Sequence, residues 1–206
     1  MDDSKTYWLD AWKEGNTPWD LKKPHQATSY LLNRYTELRL RDNKEKLHVF
    51  IPGAGRAHDA QVFLDAGHKV TAMDIAPQAV EYGQKAFFQK DFTYLKGDIL
   101  SAFSISQSAS KVDIIFDRAV LCALPHQQRL TYSQVCHHIL KKHGAFISIP
   151  FYTMPTPKYW QGPPFLLSPK ELMELFSDNF YVLSMEYSRF SKENEMQEYL
   201  MILEKK

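Results

Sequence analysis

Several residues able to do chemistry stand where a short apolar run ends: Gly53 and Gly55 after Val49–Ile51, Asp74 after Val70–Met73, Asp98 after Phe92–Leu95, and Asp117-Arg118 after Ile114–Phe116. The paired glycines let a backbone approach a ligand closely. An acid about 20 residues further on, at Asp74, is spaced to accept hydrogen bonds from the hydroxyls of a ribose. Its competing use is to cap the helix that follows. Asp98 can accept from the amino group of a heterocyclic base while Ile99 brackets the ring. Arg118 can orient an anionic or electron-rich group through its guanidinium. Asp117 either pairs with Arg118 as a salt bridge shaping the pocket floor or, by holding it, helps the chemistry.

The sixth position of the glycine motif selects among nucleotides. A turn for a dinucleotide places Gly or Ala there so that the helix N-terminus can hold a pyrophosphate. Here the position is His58. An adenosyl group without phosphates fits better, and S-adenosylmethionine is the expected cofactor, held by Pro52, Gly53, Gly55, Asp74, Ile75, Asp98, Ile99 and Asp117.

The elements that must position these residues follow from periodicity. Apolar runs at 47–52, 69–73, 93–96, 112–116 and 145–149 read as strands. Helical stretches over about 58–66, 78–88 and 126–141 lie between them. Strands alternating with helices imply a parallel sheet covered on both faces. The tail differs: after a Pro-rich connection (Pro150 to Pro169) comes a helix over 169–176. Two strand-like runs, Tyr181–Tyr187 and Glu198–Leu203, then stand only about ten residues apart, too close for a helical crossover, so they pair antiparallel. The expectation is an α/β, Rossmann-like, seven-stranded, mostly parallel sheet with a C-terminal antiparallel hairpin. One domain spans 1–206, with an N-terminal portion to residue 46 and the core from 47. In such sheets ligands lie beyond the C-terminal ends of the strands.

The N-terminal portion is rich in aromatics. Trp8 and Trp12 are one helical turn apart and share a face. They suit either an apolar stripe on the sheet or a lid whose rings meet a sulfonium by cation–π attraction, with Trp19 over the acceptor. Three of the chain's four tryptophans fall within twelve residues, which favours the lid. The Arg39–Lys46 segment is a charged connection, and Ser101 to Ser110 a Ser-rich loop.

Bulk properties exclude other classes. A formal net charge of +1 over 206 residues provides no field for nucleic acid or anionic membrane. The basic group Lys141-Lys142-His143 is expected to meet the negative end of a helix dipole. No apolar run approaches the roughly 18 residues of a membrane span, and the polar N-terminus is no secretory signal. Two cysteines, Cys122 and Cys136, form neither a disulfide framework nor a zinc motif, and Cys122 reads as a small buried hydrophobe. The eight histidines include no metal-ligating pair. A cytoplasmic protein, monomeric and acting on a small molecule, is expected.

Taken together, the segments WLDAWKEGNTPWD (8–20), VFIPGAGRAHDAQVFLDAGHKVTAMDIAPQAV (49–80), GDIL (97–100), FDRAVLCALPHQQRLTY (116–132) and GPPFLLSPKEL (162–172) resemble the thiopurine S-methyltransferase superfamily, which includes thiol and halide methyltransferases. The resemblance implies a class I methyltransferase fold and transfer of a methyl group from S-adenosylmethionine to a sulfur, selenium or halide nucleophile. It also implies a cofactor lid of Trp8, Trp12 and Trp19 and a pocket arginine at Arg118. TPWD is similar to the thiol/halide group and FDRAVLCALP to the thiopurine group, so the acceptor stays open between them. Two rival readings are a methyltransferase for a macromolecular or other acceptor and a non-catalytic cofactor-binding protein. DRAV stands where amino-group methylators carry an Asn/Asp-Pro-Pro-aromatic motif.

Overall fold

The computed structural model describes residues 3–39, 46–88, 90–101, 111–153, 162–191 and 196–206. Most of the charged connection, nearly all of the Ser-rich loop and the middle of the Pro-rich connection lie outside them.

Helices α1 (Asp3–Glu14) and α2 (Gln26–Leu38) precede β1 (His48–Pro52), α3 (Ala60–Asp65), β2 (Lys69–Asp74), α4 (Pro77–Ala86) and β3 (Phe92–Lys96). A 3-10 turn at Ile99–Ser101 follows, then β4 (Val112–Arg118), α5 (Val120–Ala123), α6 (His126–Ile139), β5 (Leu140–Ile149) and β6 (Phe151–Thr153). The chain closes with α7 (Pro169–Phe176), β7 (Phe180–Tyr187) and β8 (Gln197–Lys205).

The sheet runs β3-β2-β1-β4-β5-β8, with β7 outside β8. Strands β1 to β5 are parallel, and β8 is antiparallel to both β5 and β7. The short β6 continues β5 past Pro150 and pairs with the start of β8, Phe151 opposite Glu198. The described residues thus form eight strands rather than the expected seven, because the chain resumes an extended path beyond Pro150.

The apolar runs are continuous because both faces are covered. Val49 and Ile51, Ile114 and Phe116, and Ile147 and Ile149 point to the face of α2, α3 and α4, where they meet Leu31, Tyr35, Phe63 and Val80. Phe50, Ile115 and Phe146 point to the other face, against Tyr132 and Val135 of α6 and Leu172 and Phe176 of α7. This alternation with period two is what a strand demands. Helix α1 packs Trp12 onto Ala76 and Ala79, where α4 begins.

Strand β5 begins at Leu140, directly after α6, so Lys141 and His143 belong to a strand. They pair with Asp113 and Glu204. The cations at the C-terminus of α6 are Lys205, whose Nζ donates to the carbonyls of His137 and Leu140 at 2.6 and 2.9 Å, and Lys111, whose Nζ donates to that of His138.

Candidate active site

Strand order fixes how the ends of the strands are arranged. Reading across the sheet, the edge carries Gly97-Asp98 after β3, Asp74 on β2, the glycine turn after β1, Arg118 on β4, Phe151 after β5 and Glu198 at the start of β8. The last joins this edge because its antiparallel strand begins where its neighbours end. All of them line one cavity of about 640 Å³, roofed by Trp8, Trp12 and Trp19.

Gly53 and Gly55 have φ of +50° and +56°. A Cβ on Gly53 would lie 2.6 Å from Cγ2 of Val120, and one on Gly55 would meet the Trp12 ring at 3.6 Å. The backbone conformation disfavours a side chain at both positions, and at Gly53 space excludes one as well. The Gly55 N–H donates to Oδ2 of Asp74 at 2.9 Å, and the Ala76 N–H donates to Oδ1 at the same distance. Burial raises the Asp74 carboxyl, opposed by these N–H donors and that of Ile75. Three donors against about four lone-pair sites leave the carboxylate room for one more. Asp74 therefore both braces the turn and lines the cavity.

At the far edge, Asp98 accepts from the Leu100 N–H and the Ser101 hydroxyl. Its Oδ2 also lies 2.7 Å from Nζ of Lys5, tying α1 to the sheet. Ile75 and Ile99 line the cavity as well; Pro52 and Asp117 do not.

The aromatic roof is held in place by residues that the sequence did not reveal. The guanidinium of Arg56 lies 4.9 Å from the Trp12 ring centroid and 5.4 Å from that of Tyr82. It pairs with Asp20, which also faces Nε2 of His58 at 3.1 Å. Burial works to raise the Asp20 carboxyl, yet the Lys22 N–H and the charge of Arg56 hold it below the ordinary range. Trp8 and Trp19 meet edge-to-face at 4.9 Å. Among the described residues the cation over Trp12 is Arg56.

Asp117 requires a correction. Its carboxylate is fully buried and accepts from the N–H groups of Val120 and Leu121 and from the Tyr132 hydroxyl. It braces the turn into α5; no hydrogen bond or ion pair joins it to Arg118. Burial pushes its carboxyl up to about 6. The partner of Arg118 is Asp59, with Nε 3.0 Å from Oδ2. Asp59 precedes α3 but makes no cap bond to it. Its Oδ1 accepts the His25 N–H at 2.8 Å and the Thr28 hydroxyl at 2.6 Å. Among the described residues the terminal nitrogens of Arg118 have no further partner. The buried Cys122 thiol is pushed up to about 12 by burial, which suits a packing role. No group of three metal-ligating side chains occurs among the described residues, and no described helix is long and apolar enough to cross a membrane.

The residues present fit an adenosyl ligand without phosphates. The turn is stripped of side chains, acids stand at two strand ends, and Asp59 puts a carboxylate where a phosphate would approach α3.

The sequence profile of the thiopurine S-methyltransferase family matches residues 3–205. A probable thiol methyltransferase 2 of Arabidopsis thaliana is 30% identical over 168 residues, covering 80% of this chain and 68% of that protein. A thiocyanate methyltransferase 1 of Brassica oleracea is 26% identical, covering 77% and 66%. A thiopurine S-methyltransferase of Francisella tularensis subsp. novicida is 24% identical, covering 83% and 78%. Among solved structures, the 1,6-didemethyltoxoflavin-N1-methyltransferase of Burkholderia thailandensis, with bound 1,6-didemethyltoxoflavin and S-adenosylhomocysteine, superposes with a TM-score of 0.76. Its sequence is 19% identical, and the match covers 98% of this chain and 86% of that one. The magnesium protoporphyrin IX methyltransferase of Synechocystis PCC 6803, with bound S-adenosylmethionine, gives 0.70 at 15% identity, covering 98% of each chain. At these identities the two structures establish the shared fold.

Proposed function

Because the chain belongs to the thiopurine S-methyltransferase family, we propose that this S-adenosylmethionine-dependent methyltransferase acts on the sulfur of a small thiol. The observation that carries the acceptor class is the cavity itself: largely apolar, roofed by tryptophans, with the Arg118 guanidinium at its β4 wall.

Bound in the cavity, S-adenosylmethionine supplies an electrophilic methyl group on a sulfonium. Asp74 is positioned for the ribose, and Asp98 and Ile99 for the adenine. Trp8, Trp12 and Trp19 exclude water. That matters because attack of a thiolate on a sulfonium destroys charge, and a drier site favours it. Alignment supplies most of the acceleration, up to about 7–11 kcal/mol when reacting groups are held in line. Arg118, steadied by Asp59, favours the deprotonated sulfur. No strong base is needed, since a thiol ionises near pH 8.5.

The test is methyl transfer from S-adenosylmethionine to an aromatic thiol, a thiopurine, hydrogen sulfide, selenite and iodide. Turnover on the thiols supports the reading. Cofactor binding with no turnover across the panel overturns it. The same reading takes the enzyme as a cytoplasmic monomer acting on a free small molecule, which light scattering and cell fractionation test.

A further inference from the structure

Glu198 is a charged group at the cavity wall that the reaction as described does not use. Its side chain is 8% exposed. Oε2 lies 3.3 Å from Nε2 of His25 and 3.1 Å from the Ser191 hydroxyl. The Nδ1 of His25 accepts the Ala27 N–H at 3.1 Å, so the ring proton sits on Nε2 and points at Glu198. Glu198 is thereby held by an imidazole and a hydroxyl, with no lysine or arginine paired to it among the described residues, and its Oε1 has no partner among them.

The cluster is continuous. Arg118 meets Asp59, Asp59 takes the His25 backbone N–H, and the His25 ring reaches Glu198. It holds two carboxylates against one guanidinium, and that guanidinium is engaged through Nε with Asp59. A carboxylate largely enclosed by protein, opening to the cavity and paired with no lysine or arginine, favours a ligand that brings a positive charge.

The sheet places this charge away from the adenosyl acids. Strand β8 is three positions from β1 and four from β2, so at about 4.8 Å per strand Glu198 stands roughly 14 Å from the glycine turn and roughly 19 Å from Asp74 along the edge.

Resting on the thiol-methylation reading, we propose that Glu198 is a specificity-determining residue whose open oxygen receives the ammonium group of the acceptor. The substrate class is then an aminothiol. Arg118 faces the sulfur and Glu198 the amine, so a thiolate–ammonium pair complements both walls. The S–H proton leaves to solvent, the new S–CH3 bond forms as the sulfonium's S–CH3 bond breaks, and the ammonium keeps its charge. A carboxylate-bearing thiol meets repulsion at Glu198.

The experiment measures binding of 2-aminoethanethiol and 3-mercaptopropionate to the full-length protein saturated with S-adenosylhomocysteine, and kcat/KM for both with S-adenosylmethionine. The wild type is expected to bind the aminothiol at least tenfold more tightly. Glu198→Gln is expected to lose at least tenfold in aminothiol affinity while S-adenosylhomocysteine affinity stays within twofold. An equal or reversed wild-type preference overturns the proposal, and does so even if the variant fails to fold. So does a preference unchanged in Glu198→Gln, or a variant that loses S-adenosylhomocysteine instead. The binding preference without turnover of either thiol would support the role of Glu198 and overturn thiol methylation.

Discussion

Nε of Arg118 lies 3.0 Å from Oδ2 of Asp59, 59 residues earlier in the chain, and not against the adjacent Asp117. The guanidinium is thus anchored by the residue that introduces α3, after the neighbouring strand β1. Its orientation depends on the packing of α2 and α3 against the sheet.

Arg118→Ala should lower kcat/KM for a thiol acceptor by about 10–100-fold, equivalent to about 1.4–2.7 kcal/mol. Cofactor affinity should stay within threefold. Asp59→Asn keeps the guanidinium and should give a smaller loss, together with reduced stability because Thr28 and His25 share that carboxylate. Steady-state kinetics beside calorimetric titration of S-adenosylhomocysteine separates the two. Unchanged turnover in Arg118→Ala would leave that residue a packing role.

Gly53→Ala should be harmful twice over. The backbone is held at φ +50°, which costs an alanine about 1–2 kcal/mol. The new methyl would also lie 2.6 Å from Val120. A lower melting temperature and loss of cofactor binding are expected. Adding Val120→Ala should restore part of the binding by making room without relieving the backbone. A single variant that binds normally would show that the turn need not be bare.

Arg56→Ala removes the cation over Trp12 and the partner of Asp20. Cofactor affinity should fall about 3–30-fold, mostly through faster release, given about 0.5–2 kcal/mol for a cation–π contact. Asp20→Asn should act in the same direction, and the two changes should be less than additive because they break one latch. Stopped-flow tryptophan fluorescence during displacement of bound cofactor reads the release rate. Equal release rates in wild type and both variants would remove the latch from the account.

Asp117 predicts a pH dependence of stability. Its folded carboxyl is pushed up to about 6, above the roughly 3.9 of an unfolded chain. The folded state therefore binds the proton more tightly, and this contribution to stability is full below about pH 4 and is lost as pH rises through 6. Relative to Asp117→Asn, the wild type should lose on the order of 3 kcal/mol between pH 4 and pH 7. Urea unfolding of both proteins at pH 4, 5.5 and 7 checks the difference in slope. The absolute offset also contains the changed hydrogen bonds of the turn, so only the slope decides.

Local pattern was enough for much of this molecule. The strands announce themselves as short apolar runs because both faces of a central parallel sheet are buried. The glycine turn and Asp74 are spaced by a strand–turn–helix–strand unit whose length hardly varies. Trp8 and Trp12 share a helical face by periodicity alone. Lys141 and His143 were misread because the end of a helix and the start of a strand that follows without a loop look alike in composition.

What lay hidden were pairings between residues distant in sequence. Nothing along the chain links Arg56 to Asp20, Arg118 to Asp59 or His25 to Glu198, since a carboxylate near a strand end has no local signal naming its partner. The adjacent Asp117 seemed the obvious mate for Arg118, but side chains one residue apart on a strand point to opposite faces. Asp117 turned into the core and Arg118 into the cavity. By itself the sequence determined the order of the strands and helices apart from β6 and α5, the bare glycine turn and the acids at the strand ends, because these follow from local periodicity and spacing. Only the tertiary structure decided which charges meet, because closing the sheet and laying α1 and α2 over its edge brings together groups up to 173 residues apart.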